Sequence, residues 1–263
     1  VLEQVDFLCT KISKNKRIDG SKIHKDDIDF LLKEGKKQIV QNDKSQTIIH
    51  IFNHNYIVDG KMFIEEPIGF FADSVIHEMS FVSIPKNNLK NINQVFINCD
   101  IELERLISKT FSLGIQTLKY SDLKYGAGII NLEFEKISLG LFKDLALVHS
   151  VSFPIGINHI IKDIAKVCSL DLEESKLIIK DFDFSFKDNQ NIFDDNNFLK
   201  ENFFINSQFR KISKSLIINV ISERLKEMNS ILEKQLIIPG FKNSKEKLFL
   251  LIENESNLSN IEI

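Results

Sequence analysis

Three short apolar runs follow one another between Gly128 and Val151: Gly128-Ile129-Ile130-Asn131-Leu132, Ser138-Leu139-Gly140-Leu141-Phe142 and Ala146-Leu147-Val148-His149-Ser150-Val151. Each has strand length and the gaps are too short for a crossover helix, so together they read as a β meander. The chain then turns helical. Asn158 is placed to cap a helix through Ile160, Ile161, Ile164, Ala165 and Cys168. A longer helix is expected from about Gln208 to Lys234, where Ile217, Ile221, Leu225, Met228 and Leu232 recur at helical spacing. Between the two, Asp181 to Asn206 is rich in Asp and Asn and reads as loops and short strands. Leu248-Phe249-Leu250-Leu251-Ile252 is a closing strand.

Upstream of the meander the pattern is mixed. Asp26-Asp27-Ile28-Asp29-Phe30-Leu31-Leu32 places acidic residues ahead of an apolar stripe, as at the start of an amphipathic helix. Two strand runs follow, Thr47 to Phe52 and Tyr56 to Gly60, the second ending on an Asp59-Gly60 turn signal. Glu66-Pro67-Ile68-Gly69 is a further break, and a strand from Val75 to Ile84 is closed by Pro85. Asn87 to Asn98 then reads as a helix with Leu89, Ile92 and Phe96 on one face. This succession is an α/β or α+β layout.

Charge and composition exclude some classes of function. With 34 Lys plus Arg against 37 Asp plus Glu, the net charge of -3 does not suit a protein that coats nucleic acid. Every apolar run is broken within a few residues by Glu, Asn or Lys, so no membrane-spanning stretch is expected. The chain opens on Val1 with structured-looking sequence and no signal peptide, which suggests a missing amino terminus. Cys9, Cys99 and Cys168 lie far apart with no CxxC pair, so buried reduced thiols are expected rather than a zinc or redox site.

No catalytic constellation stands out. His50 and His54 have a ligand-like spacing, but on a strand they stand roughly 13 Å apart, too far for one metal. His77, His149 and His159 are isolated and read as polar edge residues. The acidic pairs Glu65-Glu66, Glu173-Glu174 and Asp194-Asp195 are sequence neighbours whose side chains diverge, and read as solvated surface. Neither GxxxxGK[ST] nor GxGxxG occurs, in a chain with only 10 glycines to spend on phosphate loops.

Six segments in order nevertheless resemble one family. Ile48-Ile49-His50-Ile51, Tyr56-Ile57-Val58-Asp59-Gly60, Ile64-Glu65-Glu66-Pro67-Ile68-Gly69 and Phe81-Val82 look like the inserted subdomain of FtsA, the actin-like bacterial cell division proteins. Asn98-Cys99-Asp100-Ile101-Glu102-Leu103-Glu104-Arg105-Leu106 and Phe153-Pro154-Ile155-Gly156 through Ala165 are similar to later segments of that family. The resemblance implies an α/β, actin/Hsp70-like ATPase-fold core with an inserted α+β subdomain of SHS2 (1C) type. Residues 1–85 would form the SHS2-like subdomain, and 86–263 a partial core comprising the end of IA, then IIA and IIB. It also implies ATP with Mg, binding of FtsZ, self-association into oligomers or filaments, and no nucleic acid. Work would be done at the cytoplasmic face of the inner membrane, at the division site, through a tail not present in this chain.

Carried over residue by residue, the nucleotide motifs are degraded. The family's Asp-x-Gly-Gly-Gly-Thr-Thr-Asp stands here as Asn131-Leu132-Glu133-Phe134-Glu135-Lys136-Ile137-Ser138, which places two carboxylates where glycine amides should meet phosphate. The adenosine loop has Glu253 and Asn254 in place of its glycine pair. Gly156 is retained but followed by Ile157, and the helix matching Ser175-Lys176 lacks the family's Glu. The expectation is therefore a non-enzymatic adaptor with no functioning ATP site. Its basic residues Arg210, Lys211 and Lys214 are expected to face an acidic-tailed partner. Two rivals share the superfold. One is the pilus-assembly relative of FtsA, which binds an inner-membrane peptide; the other is a sugar kinase, disfavoured by Asn131 and Glu133.

Overall fold

The computed structural model describes residues 7–182, 197–236 and 247–252. It divides into two compact units: Val1–Ile129, Leu139–Val151 and Lys245–Phe249 make one, and Ile130–Ser138, Ser152–Ser244 and Leu250–Ile263 the other. The first unit thus continues past Pro85.

That unit begins with β1 (Leu8–Arg17), α1 (Lys25–Asn42), β2 (Gln46–Val58), β3 (Lys61–Phe63) and β4 (Ser74–Pro85). The strands form an antiparallel sheet of order β1-β4-β2-β3. Helix α1 starts where the acidic residues placed it, because the Asp27 carboxylate accepts the His24 N–H at 2.7 Å and the Lys16 ammonium at 2.6 Å. Its buried stripe of Ile28, Leu31, Gly35 and Ile39 covers one face of the sheet, against Tyr56, Val58, Val75, Met79 and Phe81. At the hairpin between β2 and β3, Asp59 and Gly60 both have positive φ, 45° and 81°. The Asp59 carboxylate fixes that turn by accepting the N–H groups of Asp73 and Ser74.

The sequence suggested two strands between Thr47 and Gly60, and the protein has one. Asn53-His54-Asn55, which looks like a break, is carried as a β-bulge, and a second register shift lies at Ile49. Each bulge reverses which face a side chain meets. Ile48 and Ile51 therefore both pack toward α1, although their parity differs. Between the bulges, His50 and Phe52 turn to the opposite face and form an aromatic trio with Phe111, with ring centroids 4.4 to 5.3 Å apart.

Three helices continue the unit: α2 (Lys86–Ile97), α3 (Lys109–Thr117) and α4 (Tyr120–Tyr125). Helix α2 buries no residue. Leu89, Ile92 and Phe96 are half-buried, and Val95 and Ile97 are exposed. The expected meander is β5 (Ala127–Leu132), β6 (Ile137–Lys143) and β7 (Ala146–Phe153), and the closing strand is β8 (Lys247–Ile252), giving a sheet of order β7-β6-β5-β8.

The second unit holds α5 (Ile157–Cys168), α6 (Leu172–Asp181) and α7 (Lys214–Leu236). Ile157, Ile160, Ile161, Ile164 and Cys168 make the buried face of α5, and Ile217, Ile221, Met228 and Leu232 that of α7. Two helix starts differ from the sequence reading. Gly156, not Asn158, is the N-cap of α5, and the freed Asn158 amide reaches Glu135 instead. Helix α7 begins at Lys214 rather than near Gln208, because Leu199 N–H donates to Ile212 O and Phe198 bridges Ser213, holding that stretch extended.

Candidate functional site

The turn between β5 and β6 carries the residues that the resemblance puts at a nucleotide phosphate. It is closed by its own backbone, Glu133 N–H donating to Lys136 O at 2.9 Å. Asn131 and Glu133 are buried and joined, the Asn131 amide donating to the Glu133 carboxylate at 2.6 Å. Lys136 Nζ stands 4.0 Å from the same carboxylate. Glu135 accepts the Asn158 amide at 2.9 Å, and Phe134 is exposed. Both glutamates are thus held by asparagines.

The N-terminus of α5 is spent on this turn. Ile157 N–H donates to Glu133 O and Asn158 N–H to Phe134 O, at 3.0 and 2.8 Å. Gly156 N–H donates to His159 Nδ1, so His159 acts as a local cap rather than an isolated edge residue. The retained Gly156 has a packing role. A Cβ there would lie 2.4 to 2.5 Å from Glu133 O, Phe134 O and Lys136 N. Anion binding at a helix start needs free amides and room for a phosphate, and this junction has engaged those of Ile157 and Asn158 and closed the space. The arrangement does not fit a nucleotide phosphate at this turn. Glu253 and Asn254, the adenosine-loop positions, lie outside the described residues.

Several other assignments change. Glu174, read as surface, is fully buried and accepts from Ile205 N–H, Asn206 N–H, Ser207 N–H and hydroxyl, and Asp171 N–H. Burial pushes its carboxyl up, but the donors from Ser207, Asp171 and Asn206 outweigh burial and hold its pKa at about 2. Glu65 and Glu66 are exposed as expected, and Asp194 and Asp195 lie outside the described residues. Arg210 does not await a partner: its guanidinium donates to the Cys168 and Ser169 carbonyls at the end of α5. His77 is buried and stacked on Tyr56 at 4.3 Å, and His54 is buried against the Ser80 hydroxyl at 2.6 Å. Cys168 is buried and Cys9 partly so, but Cys99 is exposed. Among the described residues, no group of three or more His, Cys, Asp or Glu side chains could hold a metal ion.

The first unit offers two surfaces that sequence reading missed. A groove of about 560 Å³ is lined by Lys36 and Val40 of α1, Thr47 to Ile51 of β2, and Arg105. It follows the side of β2 left open because β3 pairs only with Tyr56 to Val58. Near β3, Met62, Ile64, Ile68, Phe70 and Phe71 are all exposed, Phe71 at 74%. Apolar residues next to an Asp-Gly turn were the only signal for the second surface, and no local pattern marked the first.

Comparisons with known proteins add the following. A family model described as the SHS2 domain inserted in FtsA matches residues 9–83. The cell division protein FtsA of Agrobacterium fabrum is 20% identical over 159 residues, 60% of this chain and 35% of that protein. FtsA of Helicobacter pylori is 21% identical over 54% of this chain and 29% of its own. FtsA of Neisseria meningitidis serogroup B is 19% identical over 86% of this chain and 53% of its own. The chain thus spans about a third to a half of the length of these relatives. Among solved structures, the PilM-PilN type IV pilus biogenesis complex matches with a TM-score of 0.54 and 10% identity, over 94% of this chain and 59% of that one. The fold is that of the actin-like ATPase proteins, with an SHS2 subdomain inserted.

Proposed function

Starting from a chain that is a distant FtsA-like protein, we propose that it is a cell-division adaptor that works by binding rather than by catalysis. The observation that carries this reading is the SHS2 subdomain matched over residues 9–83, together with the open groove along β2. Its partners would be FtsZ and further copies of itself, met at the cytoplasmic face of the inner membrane at the division site. The exposed group Met62, Ile64, Ile68, Phe70 and Phe71 supports a self-association surface on the SHS2 subdomain. The engaged amides at the start of α5 support action without ATP hydrolysis.

A second reading rests on the similarity to the PilM-PilN complex: a pilus-type scaffold that takes a short peptide of an inner-membrane partner. The groove walled by Lys36, Val40 and Arg105 would suit an extended peptide as well as it suits a division partner. Titration of the chain with purified FtsZ, and separately with short PilN peptides, separates the two. Binding to FtsZ alone supports the adaptor of division; binding to the peptide alone replaces it with the pilus reading.

A further inference from the structure

We propose that the free edge of β1 is a docking site for an acidic, extended segment of another protein, which joins the sheet as an added strand. Strand β1 is the outermost strand of its sheet and pairs only with β4, from Leu8 opposite Ser83 to Arg17 opposite Ser74. Its other side has no strand partner among the described residues, which leaves a row of backbone donors and acceptors available for pairing.

The charge on this edge is concentrated and of one sign. Lys11, Lys14, Lys16 and Arg17 are its only ionisable side chains besides Cys9, in a chain whose net charge is -3. Two are answered internally, Lys16 by Asp27 at 2.6 Å and Lys11 by Glu78 at 3.7 Å. Lys14 and Arg17 make no ion pair among the described residues.

The distribution of the four charges selects the partner. Ile12 packs into the core under α1, so Lys14 and Lys16 share that face, and Lys16 lies over the Phe30 ring of α1. Lys11 and Arg17, at odd positions, stand on the opposite face. A flat anionic surface such as a lipid bilayer would meet one face and leave two cations behind. An added strand sends its own side chains to both faces, directly opposite those of β1, so acidic residues at both odd and even positions can meet all four. Pairing of β1 with β1 of a second copy would set like charges against each other, so the same lysines reject that alternative.

The test uses the full chain and a synthetic peptide of Glu and Val whose glutamates fall on both faces of an extended strand, matched in length to β1 and labelled for anisotropy. Binding is expected at low salt and should weaken as salt rises, with new hydrogen-exchange protection at β1 amides. The pair Lys14→Glu with Arg17→Glu should weaken it by roughly tenfold or more, and Lys14→Gln with Arg17→Gln by less. An equivalent Lys-Val peptide should not bind. Failure of the Glu-Val peptide to bind, or protection appearing along β2 instead, would overturn the proposal. So would indifference to both charge variants. Capture by phosphatidylglycerol vesicles that depends on Lys14 and Arg17, without peptide binding, would replace it with a membrane contact.

Discussion

The hydroxyl and the N–H of Ser207 both donate to the carboxylate of Glu174, at 2.6 and 2.7 Å, across more than thirty residues of chain. One buried anion thereby gathers the segment from Ile205 to Ser207 onto the first turn of α6, and its position in Asp171-Leu172-Glu173-Glu174 makes it the capping-box residue of that helix.

Glu174→Ala should destabilise the protein by roughly 3 kcal/mol, since it leaves several buried N–H groups without an acceptor. The acid dependence follows from a folded pKa of about 2 against an ordinary 4.5. A lowered carboxyl pKa contributes stability that is fully present above pH 4.5 and is lost as pH falls toward 2. Denaturant midpoints of the wild type and Glu174→Gln should therefore converge as pH falls across that window. Curves that stay parallel would refute this role.

Gly156→Ala should cost about 3 kcal/mol, because the new Cβ would press on three backbone atoms that have no easy path of retreat. Gly60→Ala is the contrasting case. Nothing lies within 4 Å of its Cβ position, so only the positive φ opposes it, at about 1 kcal/mol. Thermal unfolding of both variants should show the larger drop at Gly156.

The double variant Glu133→Gly with Glu135→Gly should not acquire Mg-ATP binding in calorimetric titration. The changes remove carboxylates but leave the carbonyls of residues 133 and 134 engaged by Ile157 and Asn158. Micromolar binding would mean that the junction opens when its side chains are trimmed.

His77→Phe should raise stability by about 1 kcal/mol, because both ring nitrogens are buried without a hydrogen-bond partner while the stacking on Tyr56 would be kept. Burial lowers the pKa of both His54 and His77 from 6.5 to about 4. The unfolded chain takes up these protons first, so their contribution is present above pH 6.5 and is lost as pH falls toward 4. The variant should show a shallower loss across that interval in urea titrations.

Periodicity served the elements well and the junctions poorly. The meander, the α1 stripe and the spacing of Ile217, Ile221, Met228 and Leu232 were legible because alternation and helical repeat are local properties. Glu174 was not, because its five donors come from the cap at Asp171 and from a loop more than thirty residues away. Arg210 was misread for the same reason, since a cation that closes a helix end and one that waits on a surface are identical in sequence. At the turn after β5, sequence showed that glycines were missing, but not that the helix amides had found backbone acceptors instead.

The two bulges of β2 give that strand a parity rule. At its ends the even-numbered Ile48, Tyr56 and Val58 meet the α1 side, and between the bulges the even-numbered His50 and Phe52 meet Phe111 instead. Ile49 and His54 are the residues the ladder skips, so losing either would leave plain alternation with its neighbours on their present faces. Losing a residue between or beyond the bulges would instead put Tyr56 and Val58 on the wrong side of the sheet. Descent with changes of length in this strand should therefore concentrate at these two positions, and single deletions elsewhere in it should be found only where the subdomain no longer folds.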